Sequence, residues 1–263
     1  MSEVKRVPKG VDTTKPNAAR VYNFMLGGKD NYEIDQMFAA KVLEVAPDTK
    51  TQAWYSRRFL VKATTIAAEN GVRQFIDLGA GIPISPSPHE VAKQYDDTAR
   101  VVFVDYDPVV MVHADVFVSG LSGVTPLLAD ARRPDELIEI LRTRELIDFD
   151  EPVAVLAVGL LHYVMDDEYP ADILARFRDV MAPGSYFAFT HASTETAEAF
   201  IARAEKNLVN STSQLRFRTQ ADVAALLDGY EIVEPGVVTV QQWLGGDLPD
   251  TTLAILGAIG RKS

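Results

Sequence analysis

The spacing of apolar residues along the chain changes at about residue 71. Before it, apolar positions recur at helical spacing and predict three amphipathic helices, over 18–26, 32–45 and about 49–71. After it, short and nearly continuous apolar runs are separated by helical segments. The runs occupy 74–78, 100–104, 125–129, 153–158 and 185–190. Runs of this length and composition are typical of parallel strands that are covered on both faces.

The segments between these runs complete an alternation of strand and helix. Helices are predicted over 88–94, 108–119, 134–143 and 170–180. Such an alternation gives right-handed crossovers and an α/β fold with a doubly wound, mostly parallel sheet. Later in the chain, helices are predicted over 194–209 and 219–227, and strands over 231–240 and 252–261. The sequence therefore predicts a seven-stranded sheet that ends in an antiparallel C-terminal hairpin.

The same patterns indicate one domain with two parts. Residues 1–70 are expected to form an N-terminal helical cap, and residues 71–263 the α/β core. A chain of 263 residues can bury a large core without metal ions or disulfide bonds.

Composition narrows the class of protein. The formal net charge of −11 argues against a broad nucleic-acid-binding surface, and two short basic pairs, Arg57-Arg58 and Arg132-Arg133, are read as solvated. The chain has no cysteine, which excludes thiolate catalysis and fits a reducing compartment. No stretch resembles a signal peptide or reaches the roughly 18 apolar residues of a membrane helix. We expect a soluble, cytoplasmic protein without nucleic-acid or membrane partners.

A glycine-containing turn follows the first predicted strand. Residues 75–81 read Phe-Ile-Asp-Leu-Gly-Ala-Gly, so an apolar strand runs through Asp77 into Gly79 and Gly81. Glycines at such a turn accept positive φ and let the backbone approach a ligand closely. The third glycine of a dinucleotide-binding fingerprint would fall at Ile84, so the full fingerprint is absent.

Two further carboxylates are predicted at the same rim of the sheet. Asp105 ends the second strand, 24 positions beyond Gly81, and Asp130 follows the third strand. A carboxylate at the first position can accept hydrogen bonds from ribose hydroxyls, and one at the second can meet an adenine amino group. Aspartate also favours strand ends and turns for local reasons, which would explain any one of them alone.

These residues resemble class I S-adenosylmethionine-dependent methyltransferases, which have a Rossmann-like fold. Residues 75–81 resemble the first motif of that family, Asp105 its ribose-binding acid and Asp130 its adenine-side residue. The two closing strands resemble the hairpin that ends this fold. The resemblance implies S-adenosyl-L-methionine as cofactor. It also implies the cofactor-binding positions Asp77, Gly79, Ala80, Gly81, Asp105, Tyr106, Asp130 and Ala131.

The N-terminal segment over 17–32 is similar to the opening of an actinobacterial family of S-adenosyl methyltransferases, long catalogued as a domain of unknown function. Further matches lie at 73–79, 104–110, 161–164 and 182–186. This resemblance spans nearly the whole chain and brings a cofactor but no assigned substrate. It also suggests that the turn over 27–32 covers the cofactor, with Lys29 or Tyr32 reaching the methionine end. A helix-terminating turn explains its glycines equally well.

Arg20 is a second candidate for the methionine end. Its guanidinium can pair with a carboxylate through two hydrogen bonds. A solvated helix face is the alternative.

Candidate catalytic residues follow the fourth and fifth strands. His162 and Tyr163 lie where the resembling fold places residues beside the methyl donor, and His191 lies at the same rim. A histidine there can act as a general base towards a hydroxyl or amine. Packing at a strand end is the alternative for each histidine, and the histidines have no metal-ligand spacing. The aromatic residues Trp54, Tyr55, Tyr186 and Trp243 are read as core, with an acceptor pocket as the alternative.

The sequence is thus interpreted as a methyltransferase that uses S-adenosylmethionine and acts on a small-molecule acceptor. One alternative is a regulator that binds the cofactor without turnover. Another is a nicotinamide-dependent oxidoreductase, which the Asp77 motif and the closing strands disfavour.

Overall fold

The computed structural model of the protein describes residues 12–202, 214–245 and 247–263. Its helices are α1 (Ala18–Met25), α2 (Glu33–Val45), α3 (Thr49–Glu69), α4 (Pro88–Ala92), α5 (Pro108–Phe117), α6 (Pro134–Thr143), α7 (Pro170–Val180), α8 (Gln220–Ala225) and α9 (Val240–Leu244). Its strands are β1 (Gln74–Leu78), β2 (Arg100–Asp105), β3 (Val124–Leu128), β4 (Val153–Ala157), β5 (Tyr186–Ala192), β6 (Glu231–Ile232), β7 (Val238–Thr239) and β8 (Ile255–Arg261). Two short 3₁₀ turns, Leu161–Tyr163 and Asp166–Glu168, follow β4.

In the described part of the chain, eight strands form one sheet in the order β3-β2-β1-β4-β5-β8-β6, and β7 also pairs with β8. Strands β1 to β5 are parallel, and β8 runs antiparallel to β5. The predicted doubly wound α/β sheet is confirmed. The strand order reverses between β1 and β4, and open sheets of this kind bind ligands at the carboxyl ends of the strands near such a reversal.

The C-terminal end of the sheet differs from the predicted hairpin. The single strand predicted over 231–240 is two short strands, β6 and β7, and each pairs with β8. Pro235 lies between them, and a proline cannot donate to a strand ladder. Gly236 then turns the chain at a φ of +95°. The antiparallel arrangement is as predicted, but the sheet has eight strands rather than seven.

Alternate residues of the strands enter two hydrophobic layers. In β2, Val102 and Val104 pack with residues of α6, α7 and α8, whereas Val101 and Phe103 pack with residues of α3, α4 and α9. Every residue of β1, β4 and β5 is buried. This two-sided burial explains why the strand sequences are continuously apolar instead of alternating.

The N-terminal helices are attached to this sandwich in two ways. Helix α3 packs directly on β4, β5 and β8, with a buried face that includes Phe59 and Ala63. Helices α1 and α2 pack against each other, and α1 also packs against α3. The α1 helix begins at Asn17, whose side chain accepts a hydrogen bond from the Arg20 N–H at 3.0 Å. Such a cap satisfies one of the free N–H groups in the first helical turn.

Three elements, β1, α6 and α7, have the predicted bounds. The helix predicted over 194–209 is only partly described: residues 194–197 are not helical, residues 198–202 are, and 203–209 lie outside the described residues. None of the helices in the described residues has the length and apolarity to cross a membrane.

Candidate functional site

A cavity of about 350 Å³ opens at the carboxyl ends of β1, β2, β3 and β4. Its volume lies within the range of small-molecule sites, roughly 300 to 1,000 Å³. The lining residues come from the loops after these strands and from the chain before α8. They are Gly79, Val104, Asp105, Tyr106, Ala129, Asp130, Ala131, Arg132, Leu160, Tyr163, Val164, Met165, Asp167, Glu168 and Gln214.

The glycine turn after β1 is held against the end of β2. The N–H groups of Gly79 and Ala80 donate to the Val104 carbonyl at 2.8 and 3.1 Å, and the Gly81 N–H donates to Asp105 Oδ2 at 3.0 Å. Gly79 and Gly81 have φ angles of +67° and +63°, a conformation that favours glycine. A Cβ on Gly79 would lie 2.9 Å from Leu160 Cδ1. The conformation therefore favours glycine at Gly79, and a larger residue there would in addition have to displace the Leu160 side chain.

Asp105 is the most buried carboxylate that lines the cavity. One oxygen accepts from Gly81 and the other from the Asp107 N–H at 3.0 Å. Burial raises the pKa of this carboxyl, and the backbone hydrogen bonds oppose that shift. Since each carboxylate oxygen has two acceptor positions, Asp105 can still accept hydrogen bonds from a ligand.

Asp130 lines the same cavity but is already paired. Its two oxygens accept from the backbone and guanidinium of Arg132, the shortest at 2.7 Å, and Arg132 also bridges to Glu168 at 2.7 Å. The Arg132 guanidinium lies 5.6 Å from the centre of the Tyr106 ring. The pKa of Asp130 is lowered, since the hydrogen bonds from Arg132 outweigh the effect of burial. The cavity lining therefore includes a charged group of three side chains, Asp130, Arg132 and Glu168, with the Tyr106 ring beside it.

Asp77 is buried in β1 and is not among the residues that line the cavity. Burial raises its pKa to about 7, the Arg57 guanidinium opposes this shift, and Asp105 adds to it. Arg57 of α3 is only 8% exposed and donates to the carbonyls of Ile84 and Pro86 in the chain after the glycine turn. Its Nε has no hydrogen-bond partner among the described residues. The sequence reading of Arg57 as a solvated residue is therefore wrong.

Of the three candidate catalytic residues, only Tyr163 lines the cavity. Its ring lies 4.5 Å from that of His162, which is 8% exposed. The Nδ1 atom of His162 is buried without a hydrogen-bond partner among the described residues. His162 is therefore an imidazole next to the cavity wall with an unused hydrogen-bonding atom.

The geometry contradicts the predicted catalytic role of His191. Its Nδ1 lies 2.9 Å from the Ala192 carbonyl, and its Nε2 lies 2.6 Å from Arg218 Nη1. A carbonyl only accepts and a guanidinium only donates, so this histidine must carry its proton on Nδ1 and accept through Nε2. Burial lowers its pKa to about 4. His191 has no free atom with which to take a proton from a substrate.

Arg20 is also placed differently from the prediction. Its guanidinium is 1% exposed and binds both oxygens of the buried Asp35, at 2.7 and 3.1 Å. It donates in addition to the carbonyls of Asp12 and Lys15. With these four hydrogen bonds, Arg20 joins α1 to α2 and cannot hold a ligand carboxylate.

Lys29 lies in the exposed turn between α1 and α2 and is not among the cavity-lining residues. Asn23 of α1 holds the turn in place, because its Oδ1 accepts from the Asp30 N–H and from Asn31 Nδ2, each at 3.0 Å. A Cβ on Gly28 would collide with the Asn23 side chain. The glycine and asparagines of this segment therefore have a structural explanation.

His162 leads to a prediction about stability and pH. Burial and the nearby His191 lower its pKa to about 3, whereas a histidine in an unfolded chain has a pKa of about 6.5. Between these two pKa values, the His162 imidazole is therefore neutral in the folded protein and protonated in the unfolded chain. We expect the free energy of unfolding to fall as the pH drops below about 6.5, by up to about 1.4 kcal/mol per pH unit for this residue.

The measurement is urea unfolding of the parent and of His162→Gln at pH 8, 6.5 and 5.5. Glutamine does not titrate, so the variant is expected to lose less stability on acidification, and the pH 8 values give the packing cost alone. Asp77, with its raised pKa, changes stability with pH in the opposite sense, but it does so in both proteins. Identical pH slopes would contradict a neutral, buried His162.

The strand order and the acidic rim around the glycine turn define the class of protein: a Rossmann-like methyltransferase fold. A structure with this fold is 1,6-didemethyltoxoflavin-N1-methyltransferase from Burkholderia thailandensis, solved with 1,6-didemethyltoxoflavin and S-adenosylhomocysteine. The identity is 17%, the TM-score is 0.51, and the match covers 87% of this chain and 90% of that one. At this identity the likeness concerns the fold alone.

The chain belongs to the S-adenosyl methyltransferase family, whose model matches residues 4–263. S-adenosylmethionine is therefore its cofactor, and the cavity and the Asp105 carboxylate fit such a ligand. A candidate methyltransferase from Thermobifida fusca YX is 34% identical with a TM-score of 0.88, covering 97% of this chain and 98% of that one. A DUF574 family protein from Streptomyces avermitilis MA-4680 is 30% identical with a TM-score of 0.89, covering 96% and 99%. No curated protein matches the chain by sequence.

Proposed function

We propose that the protein transfers a methyl group from S-adenosylmethionine to a small-molecule acceptor, and that the cofactor lies in the cavity between the glycine turn, Asp105 and Asp130. The observation that carries this proposal is that Gly79, Asp105 and Tyr163 line one cavity. Asp105 ends β2, and the other two come from the loops after β1 and β4. Membership of the family supports S-adenosylmethionine as the cofactor, and the cavity supports the proposed location of its binding site.

In this proposal Asp105 accepts hydrogen bonds from the ribose hydroxyls. It is buried, it is fixed by two backbone N–H groups, and it has acceptor positions left. Tyr106 and Ala131 also line the cavity and supply apolar surface for the adenine. Asp130 stands at the adenine edge, and its pairing with Arg132 means that the adenine amino group shares this carboxylate with a guanidinium.

We place the methionine end beside Gly79, where the backbone can come close because no Cβ intervenes. Ala80 and Gly81 complete that turn. Asp77 and Arg57 lie behind it without lining the cavity, so they are candidates to influence the methionine end of the ligand through the glycine turn. The buried Nε of Arg57 has no hydrogen-bond partner among the described residues, so Arg57 replaces Arg20 and Lys29 as the candidate basic residue near this end.

Methyl transfer from a sulfonium needs alignment of acceptor, methyl and sulfur and exclusion of water more than it needs covalent help. Tyr163 on the cavity wall is positioned to orient an acceptor. His162 does not line the cavity but packs against Tyr163, and its unpartnered Nδ1 makes it a candidate hydrogen-bond acceptor beside that residue. The division into an N-terminal helical part over 1–70 and a core stays a prediction, because none of the described residues of α1 and α2 lines the cavity.

Calorimetry with S-adenosylhomocysteine, S-adenosylmethionine and NAD tests the proposal. We expect both adenosyl ligands to bind with one site per chain and NAD to bind at least about 100-fold more weakly. Tight binding of NAD alone would overturn the proposal in favour of an oxidoreductase. A panel of small hydroxyl- and amine-bearing acceptors then separates an enzyme from a regulator, because a regulator would bind the cofactor and methylate none of them.

A further inference from the structure

We propose that Asn17 is a positioning residue for the ribose site, acting through Asp107 on Asp105. The inference rests on the proposed function, because it takes Asp105 as the ribose-binding carboxylate. It assigns a role in ligand binding to the N-terminal segment, although none of the residues described before the glycine turn lines the cavity.

First, a buried carboxylate, that of Asp35, anchors the backbone of Asn17. Asp35 is fully buried and accepts from the Asn17 N–H at 2.9 Å and from the Tyr32 N–H at 2.9 Å. The Arg20 guanidinium neutralises it. Because Arg20 and the Tyr32 N–H fix the Asp35 carboxylate, its hydrogen bond to the Asn17 N–H holds the backbone of Asn17 in one place.

The second step is the link from the cap to the core. The Asn17 side chain uses both of its ends: Oδ1 caps α1, and Nδ2 donates to Asp107 Oδ2 at 2.5 Å. Asp107 lies 90 positions further along the chain. A donor bound to a carboxylate is among the stronger hydrogen bonds in proteins, so the contact can fix the two segments relative to each other.

The third step joins Asp107 to the ligand site. Asp107 Oδ1 caps α5 by accepting from the Val109 N–H at 2.8 Å. Its own N–H donates to Asp105 Oδ1, and Asp105 Oδ2 in turn holds the Gly81 N–H. Tyr106, between the two aspartates, lines the cavity. One continuous series of hydrogen bonds therefore runs from Asn17 to the glycine turn and sets the orientation of Asp105.

An exchange of donor and acceptor tests this link. Asn17→Asp keeps the α1 cap but places a second carboxylate against Asp107. The double variant Asn17→Asp with Asp107→Asn restores one donor and one acceptor, and aspartate and asparagine are both good caps. We expect Asn17→Asp to bind S-adenosylhomocysteine about tenfold more weakly than the parent. The double variant is expected to return to within about threefold of it.

Two readouts separate this role from general destabilisation. An S-adenosylhomocysteine analogue without the ribose hydroxyls is expected to bind the parent and Asn17→Asp equally. Without ligand, hydrogen exchange at the Gly81 and Asp107 amides is expected to be faster in Asn17→Asp and normal in the double variant. Arg73→Ala, which removes an exposed ion pair with Asp96, is the control and should change neither readout.

Unchanged affinity and exchange in Asn17→Asp would overturn the inference. A loss that the double variant does not restore would also overturn it, because the hydrogen bond would then not be the cause. Failure of the parent protein to bind S-adenosylhomocysteine would instead overturn the proposed function. The exchange measurement, which uses no ligand, would still decide whether the series of hydrogen bonds exists.

Discussion

Replacing Asp105 with alanine is expected to weaken binding of S-adenosylhomocysteine by at least about 100-fold. Two hydrogen bonds from ribose hydroxyls to an ionised carboxylate would be lost, each worth about 1.5 to 3 kcal/mol. The Gly81 N–H would also lose its partner, so the glycine turn would be less well ordered. Titration calorimetry measures the affinity directly. Asp105→Asn, which keeps one acceptor oxygen, is expected to fall between the parent and the alanine variant.

The control for Asp105→Ala is Asp115→Ala, which removes an exposed aspartate from α5. It changes the net charge by the same amount and is expected to leave the affinity within about twofold. A parent-like affinity in Asp105→Ala would show that this carboxylate does not hold the ribose. An equal loss in both variants would point to net charge instead of a specific contact.

The second large effect concerns stability. Arg20→Met is expected to lower the free energy of unfolding by about 3 to 5 kcal/mol, because it leaves the carboxylate of Asp35 buried without its cation. The two side chains are 1% and 0% exposed, so water cannot replace the lost partner. Methionine fills a similar apolar volume, which limits any additional packing cost. Urea unfolding followed by circular dichroism gives the value.

An exposed ion pair supplies the comparison for Arg20. Arg261 and Glu231 lie 3.7 Å apart with side chains about half exposed, and Arg261→Met is expected to cost less than about 1 kcal/mol. If Arg20→Met costs no more than that, the pair with Asp35 does not stabilise the protein. Retained affinity for S-adenosylhomocysteine in the folded fraction would further separate Arg20 from direct ligand binding.

The fold was readable from the sequence because its core is covered on both sides. A strand buried on both faces must be continuously apolar, so β1 and β4 stand out from their surroundings, and the prolines that begin α6 and α7 mark where those helices start. The region over 231–240 was not readable in the same way. It is rich in β-branched residues, yet Pro235 and Gly236 divide it into two strands that depend on pairing with β8.

The sequence predicted site residues correctly only where their position at or after the end of a strand puts them at the rim of the sheet. Asp105 ends β2, Asp130 and Tyr163 lie in the loops after β3 and β4, and all three line the cavity. Arg20 and His191 could not be judged this way, because their roles depend on partners 15 and 27 positions away in the sequence. From the sequence alone, an arginine or histidine appears free to bind a ligand, and only the structure shows the side chain or carbonyl that already occupies it.

Residues that sequence reasoning missed have weak local signals. Arg132 lies two positions after Asp130 and could have been suspected as its partner, but its bridge to Glu168 spans 36 positions. Arg57 carries no signal beyond its position on a helix whose other buried residues are largely apolar. Both arginines belong to short basic pairs. Such a pair does not show whether one of its arginines is buried, as Arg57 is, or forms an ion pair in a cavity, as Arg132 does.

A structure of the protein crystallised with S-adenosylhomocysteine tests the central claim most directly. We expect the ribose hydroxyls within hydrogen-bonding distance of Asp105, the adenine beside Tyr106 and Asp130, and the homocysteine end against Gly79. The sulfur atom should face Tyr163, where an acceptor would enter. Ligand density at any other place, with the cavity beside Asp105 empty, would contradict this account.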